Sequence, residues 1–356
     1  MISLIASLEY FLLSCEELLD QAKAAATDSE RFVIYAQAEA FLLDAAVMIP
    51  NTTQGGAYTI SRVAPRTVPY VQWGNDDDRL GTIVVSADDF LTPAERDQMK
   101  AAWEAAVAGE GTYDPAAMLA EMGHKQATSY TTTFQTAPVT IDWLNTSSQS
   151  DTEITVNCVD GLVQYDNLGT MQPRLADSWE ISEDGLTYTF HIREDAKWYT
   201  SEGTEYAEVT ANDFVAGFHH MLDTQAGLEW LIDGVIVGGT DYYANGGSWD
   251  DVGYKAIDDY TLEVTLESDI PYFMTMLTYS CFLPICDSFY QAHGGVYGME
   301  EYAAASADTN TYTYADAYTY TDTNAYSNTY TGADSYAYSY AVSDALSGGD
   351  FPQRVV

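Results

Sequence analysis

Basic residues are scarce in this sequence. Thirteen Lys and Arg stand against 54 Asp and Glu in 356 residues, a formal net charge of −41, and neither Lys nor Arg occurs between Lys255 and Arg354. Nucleic-acid binding needs those side chains to neutralise phosphate, so it is excluded. Docking on an anionic membrane surface is excluded for the same reason. Cysteine is sparse too: Cys15, Cys158, Cys281 and Cys286 do not have metal-ligand spacing. Cys281 and Cys286 flank "FLPI", an apolar setting that predicts buried free thiols; a disulfide between them is the alternative. Long apolar runs are missing, so membrane insertion is not expected. The nearest candidate, "MISLIASLEYFLLSC", has no Lys or Arg before it, is interrupted by Glu9 and ends in a poor cleavage box. Its Leu4, Leu8, Phe11 and Leu12 recur at near-helical spacing, which predicts an amphipathic helix instead of a lipoprotein signal.

A nucleophile motif, a phosphate-binding loop and a metal set are also lacking, so the chain is not read as an enzyme and no cofactor or metal is assigned. What is present is length enough for two domains and an ordinary hydrophobic fraction of 47%. The acidity points to a soluble protein that resists association, in the cell envelope or outside it; a salt-adapted cytoplasmic protein has the same balance.

Residues 1–111 read as helices and strands. Two helices flank "ATDSER", where Thr27, Asp28 and Ser29 offer capping oxygens. "AYTISRV" and "GTIVVSA" read as short strands around "WGNDDDRLG". In that loop Asp76 and Asp78 suit the first two positions of a calcium loop, but Leu80 occupies the third and no glutamate closes it, so a solvated turn is expected. "LTPAERDQMKAAWEAAVAGEG" predicts a helix with a Thr92–Glu95 capping box, Pro93 at its first position and Gly109 and Gly111 at its end. Residues 112–128 read as a connector with one short helix.

Residues 129–302 are mainly β. "TSYTTTFQTAPVTIDWL", "LTYTFHI" and "DDYTLEVTLE" alternate, and "TANDFVAGFHHMLD" predicts a helix capped by Thr210 or Asn212. In "DSWEISEDGLTYTF", Trp179 and Ile181 are expected to face inward before an Asp184-Gly185 turn, with Leu186, Tyr188 and Phe190 returning. Asp258-Asp259 reads as a second turn, so these carboxylates are turn and surface groups, not the acid–base pair of a hydrolase. Residues 303–356 form a Tyr/Thr/Ala/Asp-rich low-complexity tail with little aliphatic surface to bury.

"PRLADSWEISEDGLTYTFHIREDAKW", residues 173–198, resembles the signature of family 5 extracellular solute-binding proteins, the oligopeptide, dipeptide and nickel receptors of ABC importers. "VDGLVQYDNLGTMQPRLADSWE", "EVTANDFVAGFHHMLD" and "VGYKAIDDYTLEVTLESDIPYFMTML" resemble its neighbouring motifs in order. The resemblance implies an α+β, periplasmic-binding-protein-like lobe (type II), incomplete. Residues 16–90 resemble the family's closing passage, so the chain resembles a tail-then-head arrangement, permuted or fragmentary.

The same resemblance implies a receptor that binds an extended peptide or another small solute by main-chain hydrogen bonds and hands it to ABC permease subunits. Asp142 stands at the aspartate of the family's "LDP"-like motif, with Trp143 in place of its proline. That correspondence makes Ser147, Ser148 and Gln149 the groove segment; the alternative is a plain polar loop. Trp230 lies where the family places pocket aromatics, though a tryptophan in an apolar helix is commonly core. His219 and His220 are adjacent, so they diverge on a helix and do not form a metal pair. A non-transporting surface protein that keeps the fold is the second reading of the whole.

Overall fold

The computed structural model describes residues 15–44, 61–71, 74–131, 139–140, 142–200 and 203–294. The tail, the apolar amino terminus and most of "TTTFQTAPVTI" lie outside these. Packing divides the chain into one unit over Met1–Thr59 and another over Ile60–Val356, away from the boundary anticipated near residue 111.

In the first unit, α1 (helical over 15–23) is followed by α2 (Asp28–Asp44). Thr27 Oγ1 accepts from Glu30 N at 3.2 Å and so caps α2. Arg31 reaches back to the Ala22 and Ala25 carbonyls at 3.3 and 3.4 Å. A cation thereby meets carbonyls at the end of α1, where the helix dipole favours positive charge.

The second unit opens with two short passages that meet only briefly. Ala64 N donates to Val84 O and Ser86 N to Arg62 O, each at 2.8 Å. Among the described residues this pairing is the isolated bridge Val63–Val85, and the chain leaves extended geometry at Arg66, where φ is +55°; residues 57–60 of "AYTISRV" lie outside the described residues. The helix α3 (Pro93–Val107) has the predicted capping box, with Pro93 in its first turn. The short helix α4 (Pro115–Glu121) is capped by Asp114. Met99 and Trp103 of α3 pack with Val84, Leu91 and Leu119 in a small core.

The larger core belongs to residues 142–290. After α5 (Gln149–Thr155) comes a hairpin of β1 (Val163–Tyr165) and β2 (Met171–Pro173). Next come β3 (Ala176–Ile181), β4 (Thr187–Ile192), β5 (Lys197–Tyr199), β6 (Glu205–Glu208) and α6 (Ala211–Thr224). The chain continues through α7 (Gly239–Asn245), β7 (Tyr254–Asp258), β8 (Thr261–Thr265), α8 (Phe273–Met276) and α9 (Asp287–Ala292). The main sheet is antiparallel in the order β3-β4-β8-β7. Strict alternation decides which face of β4 is buried: Tyr188, Phe190 and Ile192 point into the core, with Phe190 opposite Leu262 and Tyr188 opposite Val264. Across this face lies α6, whose Phe218 ring stacks on Tyr254 at 4.3 Å. Thr210, one of the two predicted caps, starts that helix with Asp213 in a capping box.

Three expectations need correction. Ile181 is 49% exposed, because it ends β3, the edge strand, where the sheet runs beyond its core. Residues 142–145 form a turn with Trp143 and Leu144 buried, not the end of a strand. The stretch "DDD" is a 3-10 turn, Asp76–Asp78, whose first aspartate is fully buried. The turn is therefore solvated at Asp77 but not at Asp76. The turn at Asp184-Gly185 forms as expected: Gly185 has φ +73°, and Asp184 Oδ1 accepts from Leu186 N at 3.1 Å. All four cysteines are free, Cys281 and Cys286 both buried.

Candidate ligand-binding cleft

A cleft of about 300 Å³ opens in the second unit. Gly74, Asn75 and Asp77 form one wall, and Ser147, Gln149 and Thr152 face them from the start of α5. Tyr279, Ser280, Leu228 and Val71 complete the lining. Amides and hydroxyls predominate, a surface suited to main-chain groups of a ligand.

Asn75 holds the walls together. Its Nδ2 donates to Thr152 Oγ1 at 3.4 Å, its Oδ1 accepts from Ser280 N at 3.0 Å, and its own N–H donates to Thr278 O at 3.3 Å. Gly74 passes so close to Thr278 that a Cβ there would lie 2.3 Å from Oγ1, and its φ of +100° also favours glycine.

Below this wall a buried charge network fixes the turn. Asp76 accepts from Arg79 Nε and from Tyr165 N, both at 2.7 Å. Arg79 Nη1 donates to Val156 O at 2.6 Å and to Asp160 Oδ1 at 3.0 Å, and Asp160 Oδ2 lies 3.0 Å from Arg174 Nε. Burial pushes the Asp76 carboxyl above its ordinary range, against the lowering pull of Arg79. A paired cation and backbone donors are what such a buried carboxylate requires.

The opposite wall is fastened to α6. Buried His220 Nε2 lies 2.8 Å from Asp142 Oδ2, and Thr224 Oγ1 donates to Leu144 O at 3.0 Å. Thr146 Oγ1 donates to Asp151 Oδ2 at 2.7 Å, closing the loop onto α5. Asp142 thus positions the segment that carries Ser147. His220 serves that anchor, while His219 stacks on Trp249 with ring centroids 4.0 Å apart, so the two histidines diverge. Among the described residues no cluster has metal-ligand character.

Of the residues singled out in the sequence, Ser147 and Gln149 line the cleft. Ser148 lies between them, its hydroxyl 2.9 Å from Ser150 Oγ. Trp230 is 61% exposed in the 3-10 turn Glu229–Ile232, two residues beyond the lining Leu228, and so is not a core tryptophan. Asn75, Asp77, Thr152, Tyr279 and Ser280 were not legible as site residues. The one local signal was Gly74 followed by "NDDDR", which reads equally well as any polar turn.

Residues 170–335 match the family model described as bacterial extracellular solute-binding proteins, family 5 Middle. The oligopeptide-binding protein AmiA of Streptococcus pneumoniae is 44% identical over 158 residues, 44% of this chain and 24% of that protein. The oligopeptide-binding protein SarA of Streptococcus gordonii is 37% identical over 183 residues, 51% of this chain and 26% of that one. Among solved structures, the substrate-binding domain of an oligopeptide ABC transporter from Bacillus anthracis is 31% identical. It covers 47% of this chain and 32% of its own, with a TM-score of 0.43. The chain spans about a quarter of the length of the curated relatives it matches. Over residues 170–335 the chain is therefore similar to the family 5 extracellular solute-binding proteins, a family of non-catalytic transport receptors.

Proposed function

We propose that this chain is the solute-binding component, or part of one, of an ABC importer for peptides. It works in the cell envelope or outside it, with permease subunits as partners. The observation that carries this reading is the place of Ser147 and Gln149, which face Asn75 and Ser280 across a polar cleft in a body homologous to oligopeptide-binding proteins. An extended peptide there meets backbone and amide groups, which read its main chain with little regard for its side chains. Trp230, two residues beyond the lining Leu228, is an exposed aromatic. The tail-then-head arrangement is part of this proposal. Packing of residues 61–127 with 142–168 in one unit supports it, as in Trp103 Nε1 donating to Asn167 O at 2.7 Å.

The cleft has the volume of a small pocket, at the lower end of the ~300–1,000 Å³ range for ligand sites. A few main-chain hydrogen bonds worth about 1 kcal/mol each barely offset the cost of association. Dissociation constants for tri- to pentapeptides are therefore expected at roughly millimolar, about −4 kcal/mol. Calorimetry of the full chain with a mixed peptide library tests this. Heat that disappears in Ser147→Trp, which fills the cleft, supports the reading; heat that survives it, or none with any peptide, refutes it.

A further inference from the structure

Among the described residues lining the cleft one side chain is charged, and it is negative. Asp77 is exposed on the cleft wall, and among the described residues it has no ion pair or hydrogen bond to its carboxylate. The cation of its own turn is turned away: Arg79 is buried and committed to Asp76, Asp160 and two carbonyls. Further acids stand close behind. Gln149, on the facing wall, donates to Asp78 Oδ2 at 3.5 Å. Burial and the charge of Asp77 raise the Asp78 carboxyl above its ordinary range, and burial and Asp78 do the same to Glu153. The remaining polar groups of the cleft, on Asn75, Ser147, Gln149, Thr152, Tyr279 and Ser280, are neutral.

Resting on the peptide reading, we infer that this cleft selects ligands by charge, favouring peptides with a Lys or Arg side chain, and that Asp77 is the specificity-determining residue. A carboxylate left unneutralised in a concavity attracts a cation and repels an anion, and concave low-dielectric walls concentrate that field. Because Asp77 is exposed, each effect is modest. A favourable pair is worth no more than about fivefold in affinity. Attraction and repulsion together separate cationic from anionic ligands by roughly tenfold, a difference that salt erodes.

The test titrates the full chain with Gly-Lys-Gly, Gly-Gln-Gly and Gly-Glu-Gly, followed by NMR shifts at low and high salt. Cadaverine serves as a cation without a peptide group. Asp77→Asn is compared with Asp97→Asn, which removes the same charge from the exposed face of α3. The expected result is Lys over Gln over Glu, a ranking that collapses in Asp77→Asn and at high salt but persists in Asp97→Asn. Equal binding of the three peptides, or a ranking that survives Asp77→Asn, overturns the inference and leaves the peptide reading standing. Cadaverine binding lost in Asp77→Asn, with no peptide bound, supports charge selection while refuting the peptide reading. No binding by any probe overturns both.

Discussion

Asn75 and Ser280 lie 205 residues apart in the chain, and Asn75 Oδ1 accepts a hydrogen bond from the Ser280 backbone N–H at 3.0 Å. With the bond from Asn75 Nδ2 to Thr152 Oγ1, one side chain connects three distant segments at one cleft. The cleft is therefore a product of long-range packing, not of any local motif.

Asn75→Ala removes both side-chain bonds and leaves a part-buried Ser280 N–H without its acceptor. A loss of about 1–3 kcal/mol is expected, measured by urea unfolding. Peptide binding should weaken further than stability does, since the walls lose their shared anchor. Unchanged binding would show that the walls are held by other contacts.

Arg79→Met removes the cation shared by Asp76 and Asp160 and strands buried carboxylates. Breaking such a pair costs about 3–5 kcal/mol, so a strongly lowered unfolding midpoint is expected. Adding Asp76→Asn to this variant should recover part of the loss, because one uncompensated charge is then removed. Double-mutant unfolding curves measure that coupling.

Asp213 gives the stability a pH dependence. Its carboxylate is buried and accepts from Trp198 Nε1 at 3.0 Å, Thr210 N at 2.7 Å and Asp287 N at 2.7 Å. Burial outweighs these bonds and pushes its pKa up from 3.8 to about 6. The native state then binds this proton more tightly than the unfolded chain does. The contribution is full below about pH 4, falls as pH rises and is gone once pH passes about 6, a swing on the order of 3 kcal/mol. Asp213→Asn should lower stability at every pH, by disrupting the acceptors, and flatten the slope between pH 4 and about 6. Thermal unfolding across that window reads the slope, and an unaltered slope would assign it to other groups.

Gly217 lets α6 approach the segment after β8. A Cβ there would sit 2.8 Å from Leu283 O and 3.3 Å from Ile285 N, both main-chain atoms. Overpacking of this kind costs about 1–3 kcal/mol. Gly217→Ala should lower the melting temperature despite alanine's better helix propensity, whereas a rise would mean the segment yields freely.

Much of the fold was legible because its signals are local. The capping box at Thr92, the Asp184-Gly185 turn and the alternation of Tyr188, Phe190 and Ile192 each depend on residues a few positions apart. The inward setting of Ile181 was misread because alternation gives a face but not where an edge strand leaves the core. Asp76 was misread as part of a solvated turn because hydropathy cannot reveal that Arg79, Asp160 and Arg174 converge around it.

The sequence by itself determined the α+β pattern and the family resemblance, because periodicity and short motifs are properties of neighbours in the chain. Tertiary structure alone decided which polar residues share a cleft. Ser147 and Gln149 meet Asn75, Asp77 and Ser280 only after His220 fixes Asp142 and Arg79 joins Asp76 to Asp160. Contacts across 70 to 200 residues depend on how the burial of apolar faces orients whole elements, and no local window of sequence records that orientation.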